Sequence, residues 1–316
     1  MRVGFYVKKL RSVTNGGVAF TAMNALGRFG VIRKLQQARM RAVRPALVAS
    51  IEPRSDLLEP LVLQDLGRTL ERDGAAAGLS LRPHVLAQMR EALHGQPCYG
   101  FGQPQFAFRN AERAEAERRY ERKFLQAHYY GLDRIHPLFA ELREDRALKQ
   151  LLRNYFRCEP VWTGTRAWWS YAVDASEEEQ RDFGQAFHYD VDDYLSLNIF
   201  FYLTDVDLEG GAHVLVRGTH RTKPLRHRLR PRRSRTDEDV RREYGEEAFI
   251  RLCGPAGFGF VEDPFCYHKA LHPRSSDRLV LQLRYALTDY QVGTETAHRA
   301  WLANSLPDAP REGRLA

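Results

Sequence analysis

The sequence predicts an α+β fold with a mostly β core: helices from the N-terminal half, then a β-barrel or sandwich. Three observations carry this. Helix-length stretches with helical apolar spacing or dense charge are confined to the first half of the 316 residues. From about residue 160 the texture changes to Trp162, Trp168, Trp169 and Tyr171, side chains that suit a pleated surface. Further on, Leu195, Leu197, Ile199, Phe201 and Leu203 alternate with Ser196, Asn198, Phe200 and Tyr202, the two-residue period of a strand.

In chain order, residues 1–54 read as a basic arm. They hold eleven Lys or Arg and one acid, Glu52, whereas the other 262 residues hold 37 basic and 39 acidic ones, so the net charge of +8 belongs to the arm. Phe20, Met23, Leu26, Phe29 and Ile32 recur there at helical spacing, although Gly27 and Gly30 weaken a helix. Pro45 and Pro53 mark a break. Residues 55–316 read as one domain, helical over about 55–158 and β over about 160–290. Helices are expected within 58–74 and 82–94, at the densely charged 110–126, and over 139–155. Phe258 and Phe260 before Asp263-Pro264 predict a strand and turn. Leu279, Leu281 and Leu283, alternating with Arg278, Val280, Gln282 and Arg284, predict another strand.

Composition excludes several classes. Hydrophobic residues make up 43%, enough for a sizeable core and against global disorder. No apolar run approaches the ~18 residues of a membrane span, and the start of the chain lacks a secretory apolar region. Cys98, Cys158, Cys253 and Cys266 offer no CxxC pair, which excludes a zinc ribbon or a thioredoxin-like motif. Reduced cysteines and a cytoplasmic location are expected. The ten basic residues and absent acids of residues 1–44 add two alternatives: peripheral membrane contact through that segment, or a mitochondrial presequence. A second basic block, nine Lys or Arg without an acid, spans 217–235.

The segment Phe187-His188-Tyr189-Asp190 contains His-x-Asp. On a strand, residues two apart share a face, so His188 and Asp190 can present a nitrogen and an oxygen to one metal. His268, 78 positions after Asp190, supplies a third ligand. Two His and one carboxylate on one face of an octahedron leave three sites open, the pattern of non-haem iron(II) centres. The alternative for a lone His-x-Asp is a surface turn or a hydrogen-bonded pair. His272 is the rival distal ligand.

Around these residues the sequence resembles the phytanoyl-CoA dioxygenase family over roughly residues 60–290. Leu70-Glu71-Arg72-Asp73-Gly74 is similar to its N-terminal helix and glycine, and Pro137 to Pro160 to the stretch before its barrel. Leu203-Thr204-Asp205 is similar to the end of its strand after His-x-Asp. Gly210-Gly211 through Gly218-Thr219-His220 resembles its GG…PGSH segment, with Arg217 where proline is usual. Gly257 to Asp263 resembles the strand leading to its distal histidine, and Arg278 follows His268 by the ten residues expected of its 2-oxoglutarate arginine.

The resemblance implies a double-stranded β-helix (jelly-roll, cupin-like barrel) flanked by helices. It implies an iron(II)- and 2-oxoglutarate-dependent dioxygenase using O2, with His188, Asp190 and His268 on the metal. Arg278 is then the cosubstrate anchor, because a planar guanidinium matches a carboxylate and stays charged; its alternative is a surface salt bridge with Asp277. Ser170 and Tyr171 stand where the family places cosubstrate or substrate contacts, whereas Ala270 lacks a hydroxyl found there in some relatives. His220 is expected to brace its turn and His213 to sit on a strand. Related halogenases replace the carboxylate by a small residue, so Asp190 points to hydroxylation. The basic block at 217–235 suggests an anionic small-molecule or lipid-linked substrate; the alternative is a solvated loop. Two rival readings remain: an AlkB-type nucleic-acid demethylase, for which Arg278 and Arg284 satisfy Arg-x5-Arg, and a non-catalytic barrel binding an anionic ligand. Only the first requires a nucleic-acid partner.

Overall fold

A computed structural model describes residues 17–46, 54–176, 179, 184–230 and 233–290. Eleven strands are defined among them. They are β1 (Ala75–Ser80), β2 (Pro97–Gly100), β3 (Ala107–Arg109), β4 (Gln126–Tyr129), β5 (Val161–Ser170), β6 (Ser196–Tyr202), β7 (His213–Val216), β8 (Phe249–Leu252), β9 (Phe258–Glu262), β10 (His268–Ala270) and β11 (Arg278–Ala286). A large sheet runs β1-β9-β6-β11-β5-β4-β2-β3 and a small one β10-β7-β8, with every pairing antiparallel. The two sheets close on a shared layer in which Phe200, Tyr202, Phe260 and Val280 of the large sheet meet Leu252 of the small one and the adjoining Ala212. This is the expected jelly roll.

The alternation read in the sequence sorts the two faces. On β6 and β11, Leu197, Ile199, Phe201, Leu279, Leu281 and Leu283 point outward into the main core, where helices cover them. The helix Leu63–Asp73 buries Leu63, Leu66 and Leu70, and Pro83–His94 buries Val85, Met89 and Leu93, each spaced three or four apart as one helical face requires. Arg146–Phe156 adds Leu148, Leu151, Leu152 and Phe156. Val280 therefore faces inward opposite Tyr202, with Gln282 opposite Phe200 and Arg284 opposite Asn198.

The sequence reading differs from the structure in the first half. Strands β1 to β4 interleave with the helices there, so the large sheet does not wait for residue 160. They have three to six residues and little β-branching, too short for a period to show. The charged 110–126 stretch is helical only over Arg113–Arg119 beyond a single turn, and Gln126 already belongs to β4. The expected helix at 139–155 is two helices, Pro137–Arg143 and Arg146–Phe156, because the Asp145 carboxylate caps the second by accepting from the Ala147 and Leu148 amides.

The described part of the basic arm lies on the barrel. Residues 17–26 are helical, and a helix follows at Gly30–Val43. Met23 is buried with Phe187, Tyr189, Val191 and Phe265, while Phe20 packs edge-on against Tyr290 at 5.7 Å. Met23 and Phe20 of the apolar series thus pack on the domain, while Leu26 stays exposed. Asn24, Gln37 and Arg41 donate to the carbonyls of Val191, Tyr194 and Phe156. Residues 1–16 of the segment offered as a presequence lie outside the described residues. No helix among the described residues is long and apolar enough to cross a membrane.

Beneath this helix sits a buried cation. Lys223 donates to the carbonyls of Thr219 and Phe265, and its ammonium faces the rings of Phe265, Tyr189 and Tyr267 at 4.2, 4.7 and 5.0 Å. Burial lowers its pKa to about 7. An unfolded lysine titrates near 10.4, so the folded state binds fewer protons between the two values and gains stability as pH rises through that window. The melting temperature is expected to rise from pH 7 to 9 relative to Lys223→Met. Parallel pH profiles for the two proteins would contradict a cation buried at this cost.

Candidate active site

The candidate metal ligands meet through backbone pairing. His188 forms an isolated bridge with His268: each amide donates to the other's carbonyl, at 3.0 and 2.8 Å, and Asp190 N donates to Pro264 O at 2.8 Å. The His-x-Asp segment thus extends the small sheet beside β10. His188 and Asp190, two apart on an extended segment, face the same way as His268 across the bridge.

The side chains are preset. His188 Nδ1 lies 2.9 Å from Ala186 O and His268 Nδ1 lies 3.0 Å from Cys266 O, contacts that keep a proton on Nδ1 and leave both Nε2 atoms as ligands. Those Nε2 atoms stand 4.0 and 3.8 Å from the Asp190 carboxylate, beyond hydrogen bonding, and the three ligand atoms lie within 4.8 Å of one another. Burial lowers the pKa of His268, which favours the neutral imidazole that a metal needs. Burial pushes Asp190 upward, but the charges of His188, His268, Arg284 and Arg233 outweigh it and hold the carboxyl below its ordinary value. The donor set, two imidazoles and one carboxylate, fits a divalent iron with positions left open.

Arg278 faces the barrel interior at the first position of β11 and is 2% exposed. It donates to Gly211 O and, at 3.2 Å, to Ser170 Oγ, its cross-strand partner on β5. Its Nε is buried without a hydrogen-bond partner. A buried guanidinium N–H left unmet is costly, and the C5 carboxylate of 2-oxoglutarate would satisfy it. Gly211 is required here: its φ is +87°, and a Cβ would lie 2.8 Å from Pro273 and 2.9 Å from Leu271 O. The salt-bridge alternative does not form, since Asp277 instead pairs with Arg113 at 2.9 Å.

The other candidates separate clearly. Ser170 is beside Arg278, but Tyr171 points into the outer core, where its hydroxyl donates to Asn110 and Arg113 covers its ring, so it is not brought to the site. His272 lies against Val173 O at 2.6 Å, outside the ligand cluster. His220 braces its turn against Glu71 O and Cys266, as expected. Arg284, six residues along β11 from Arg278, pairs with Asp192 and does not join it. Sequence reasoning missed one pair. His213 Nε2 lies 2.7 Å from the carboxylate of Glu262, which is wholly buried on β9, and the His213 ring stacks on His268 at 5.6 Å and 20°. Burial pushes Glu262 up, but His213 and His268 overcome it and bring its pKa to about 2. The only signal was an acid in an otherwise apolar strand.

Fold and site together define a non-haem iron, 2-oxoglutarate-dependent oxygenase. The family model for phytanoyl-CoA dioxygenase (PhyH) matches residues 67–280, and the chain belongs to that family. Several solved structures are similar. HygX from Streptomyces hygroscopicus, with nickel, 2-oxoglutarate and hygromycin B bound, is 14% identical over 71% of this chain and 87% of its own, with a TM-score of 0.48. EctD from S. alaskensis with bound Fe is 16% identical over 77% and 82%, TM-score 0.45. The α-ketoglutarate-dependent epimerase SnoN from nogalamycin biosynthesis is 16% identical over 72% and 82%, TM-score 0.42. No curated protein sequence matches.

His188→Ala, Asp190→Ala and His268→Ala are each expected to weaken divalent-metal binding at least ~100-fold with the barrel folded, as calorimetry and circular dichroism would report. His272→Ala should bind metal normally; loss there with retention in His268→Ala would reverse the assignment. Arg278→Ala should raise the 2-oxoglutarate requirement by about 100-fold or more and Arg284→Ala far less, because only the first strips a buried carboxylate of its cation. Equal loss in both would restore the paired-arginine reading.

Proposed function

We propose that the protein is a hydroxylase acting on an anionic small-molecule or lipid-linked substrate. The observation that carries this is the arrangement of cations around Asp190. Arg284 from β11 and Arg233 from the basic block both act on its carboxylate. Arg233 is held by Asn24 of the N-terminal helix, and Arg28, in the turn after that helix, donates to Arg230 O at 3.2 Å. Burial lowers the Arg233 pKa, and the nearby charge of Arg28 lowers it further. Two guanidiniums held together at a site mouth repel one another, and a bound anion relieves that repulsion. A phosphate, a sugar acid or a CoA ester has the matching charge.

His188, Asp190 and His268 would hold the iron, and Arg278 with Ser170 would hold the C5 carboxylate of 2-oxoglutarate. Iron(II) so held, with 2-oxoglutarate and O2, supplies the oxidising power that inserts oxygen into a C–H bond and leaves succinate and carbon dioxide. Asp190 fills the coordination position that a halide needs, which favours hydroxyl over halide transfer. Arg233, Arg28 and Arg284 would orient the substrate by its anionic group, away from the bond that reacts.

The test is iron-dependent succinate release across a panel of anionic and neutral metabolites. Arg28→Gln and Arg233→Gln are expected to raise KM for the accepted substrate about tenfold each, with smaller changes in kcat and weaker binding at high salt. Preference for neutral compounds, or indifference to both substitutions, would remove the anionic reading.

Peripheral membrane contact is proposed for the outward face of Gly30–Val43. Val31, Leu35 and Val43 are 81%, 67% and 66% exposed there, with Lys34 and Arg39 beside them. Apolar anchors flanked by cations suit an anionic lipid surface. The full chain is expected to sediment with vesicles containing anionic lipid, and Val31→Glu/Leu35→Glu to remain in solution. Equal behaviour of the two proteins would dispose of the contact.

A further inference from the structure

The His213–Glu262 pair is used by neither the metal centre nor the Arg278 anchor as described. It is nevertheless costly. Glu262 is 0% exposed, and His213 packs against the stacked rings of Phe200 and Phe260 at 5.4 and 5.3 Å. Asn198 Nδ2 reaches the second carboxylate oxygen at 3.5 Å. An ion pair in such surroundings is often less stable than an apolar pair of the same volume, so stability alone gives it little reason to be there.

Its place in the fold supplies a reason. On β7, Leu215 lies opposite His268 and His213 opposite Ala270, and two residues before His213 the carbonyl of Gly211 accepts from Arg278. The strand thus runs from beside the metal centre to beneath the cosubstrate anchor, with His213 between them. Four residues of strand, Leu215 to Gly211, cover ~13 Å, a span that the metal-facing and anchoring side chains and a five-carbon dicarboxylate would fill together. His213 is joined to both ends. Its ring stacks on His268, and its amide donates at 3.0 Å to Tyr202 Oη, a hydroxyl electrostatically linked to Arg278.

We infer that His213 is a cosubstrate-binding residue whose imidazole walls the passage between the metal and Arg278 along which the carbon chain of 2-oxoglutarate lies, and that Glu262 is the positioning residue that fixes the plane of that ring. Glu262 reaches 2-oxoglutarate only through His213. The aromatic face gives the methylene carbons an apolar contact, and the Nε2–Glu262 bond stops the ring turning into the passage. The inference rests on the oxygenase reading, since it presumes that 2-oxoglutarate binds.

The experiment measures binding without turnover, in the full chain loaded with Ni(II) or Zn(II), by calorimetry with 2-oxoglutarate. His213→Gln keeps a donor for Glu262 but loses the ring. The double variant His213→Leu/Glu262→Gln removes both partners and leaves no unpaired buried charge, so it is the more certain to fold. Both are expected to bind 2-oxoglutarate about tenfold more weakly and to discriminate less against 2-oxoadipate, one carbon longer, with metal affinity within threefold of the unaltered protein. In the unaltered Zn(II) form, the ring resonances of His213 should shift on adding 2-oxoglutarate. Cosubstrate affinity within twofold in the variants overturns the inference. So does a loss of metal affinity in step with it, which would make the pair a mere buttress of His268, and so do unmoved His213 resonances in protein that binds 2-oxoglutarate. Unaltered metal-loaded protein that binds no 2-oxoglutarate would instead fail the oxygenase reading itself.

Discussion

The site depends on one short piece of backbone pairing, the reciprocal hydrogen bonds between His188 and His268. Side chains 80 positions apart cannot be held to coordination distance by packing alone, because rotamers of partly exposed residues would blur the geometry. A hydrogen-bonded antiparallel pair fixes its two Cα atoms about 5.5 Å apart, on the same face of the sheet. The third bond, Asp190 N to Pro264 O, continues the alignment and sets the carboxylate between the two imidazoles. The jelly roll extends this constraint: β7 and β8 hold β10 flat, and β10 holds the His-x-Asp segment.

Charge is placed in the interior at cost, and each instance has a compensating partner. Arg278 has Ser170 and Gly211 O, with one donor left over; Glu262 has His213 and Asn198; Lys223 has two carbonyls and three rings. Arg33 lies over the ring of Phe265 at 3.9 Å and 4.0 Å from Asp263, which also accepts from Tyr155. Of these four, Arg278 has a buried nitrogen, Nε, that no partner meets.

The legible part of the fold was the part with a long period. Strands β6 and β11 have seven and nine residues, long enough for the alternation read in the sequence to show them as strands. Strands β1 to β4 were not, because a three- to six-residue strand gives no period and β1, Ala75 to Ser80, draws its register from pairing with β9. At the site, His188, Asp190, His268 and Arg278 were singled out by their order and spacing, and the structure sets the first three within reach of one ion. Tyr171 was misplaced because adjacent strand residues face opposite ways, so Ser170 and Tyr171 could not both reach the same interior. His213 was seen only as a strand histidine. Its partner lies 49 positions on, in another sheet, and nothing local to either residue announces the contact.

The N-terminal segment is where sequence and structure part most usefully. Its basicity invited treatment as an appendage, yet Met23, Asn24, Arg33 and Gln37 tie it to the loops around the His-x-Asp segment. A bare barrel would leave Val191 and Phe265 open to water and Arg233 without the Asn24 acceptor that holds it. The arm therefore completes the side of the site on which its cations stand. Positive charge then stands in two places: Arg278 at the start of β11 opposite Ser170, and Arg284 six residues on, which with Arg233 acts on the Asp190 carboxylate. A dianionic cosubstrate held by Arg278 would therefore leave the charge of Arg233 and Arg28 unneutralised, as the proposed anionic substrate requires.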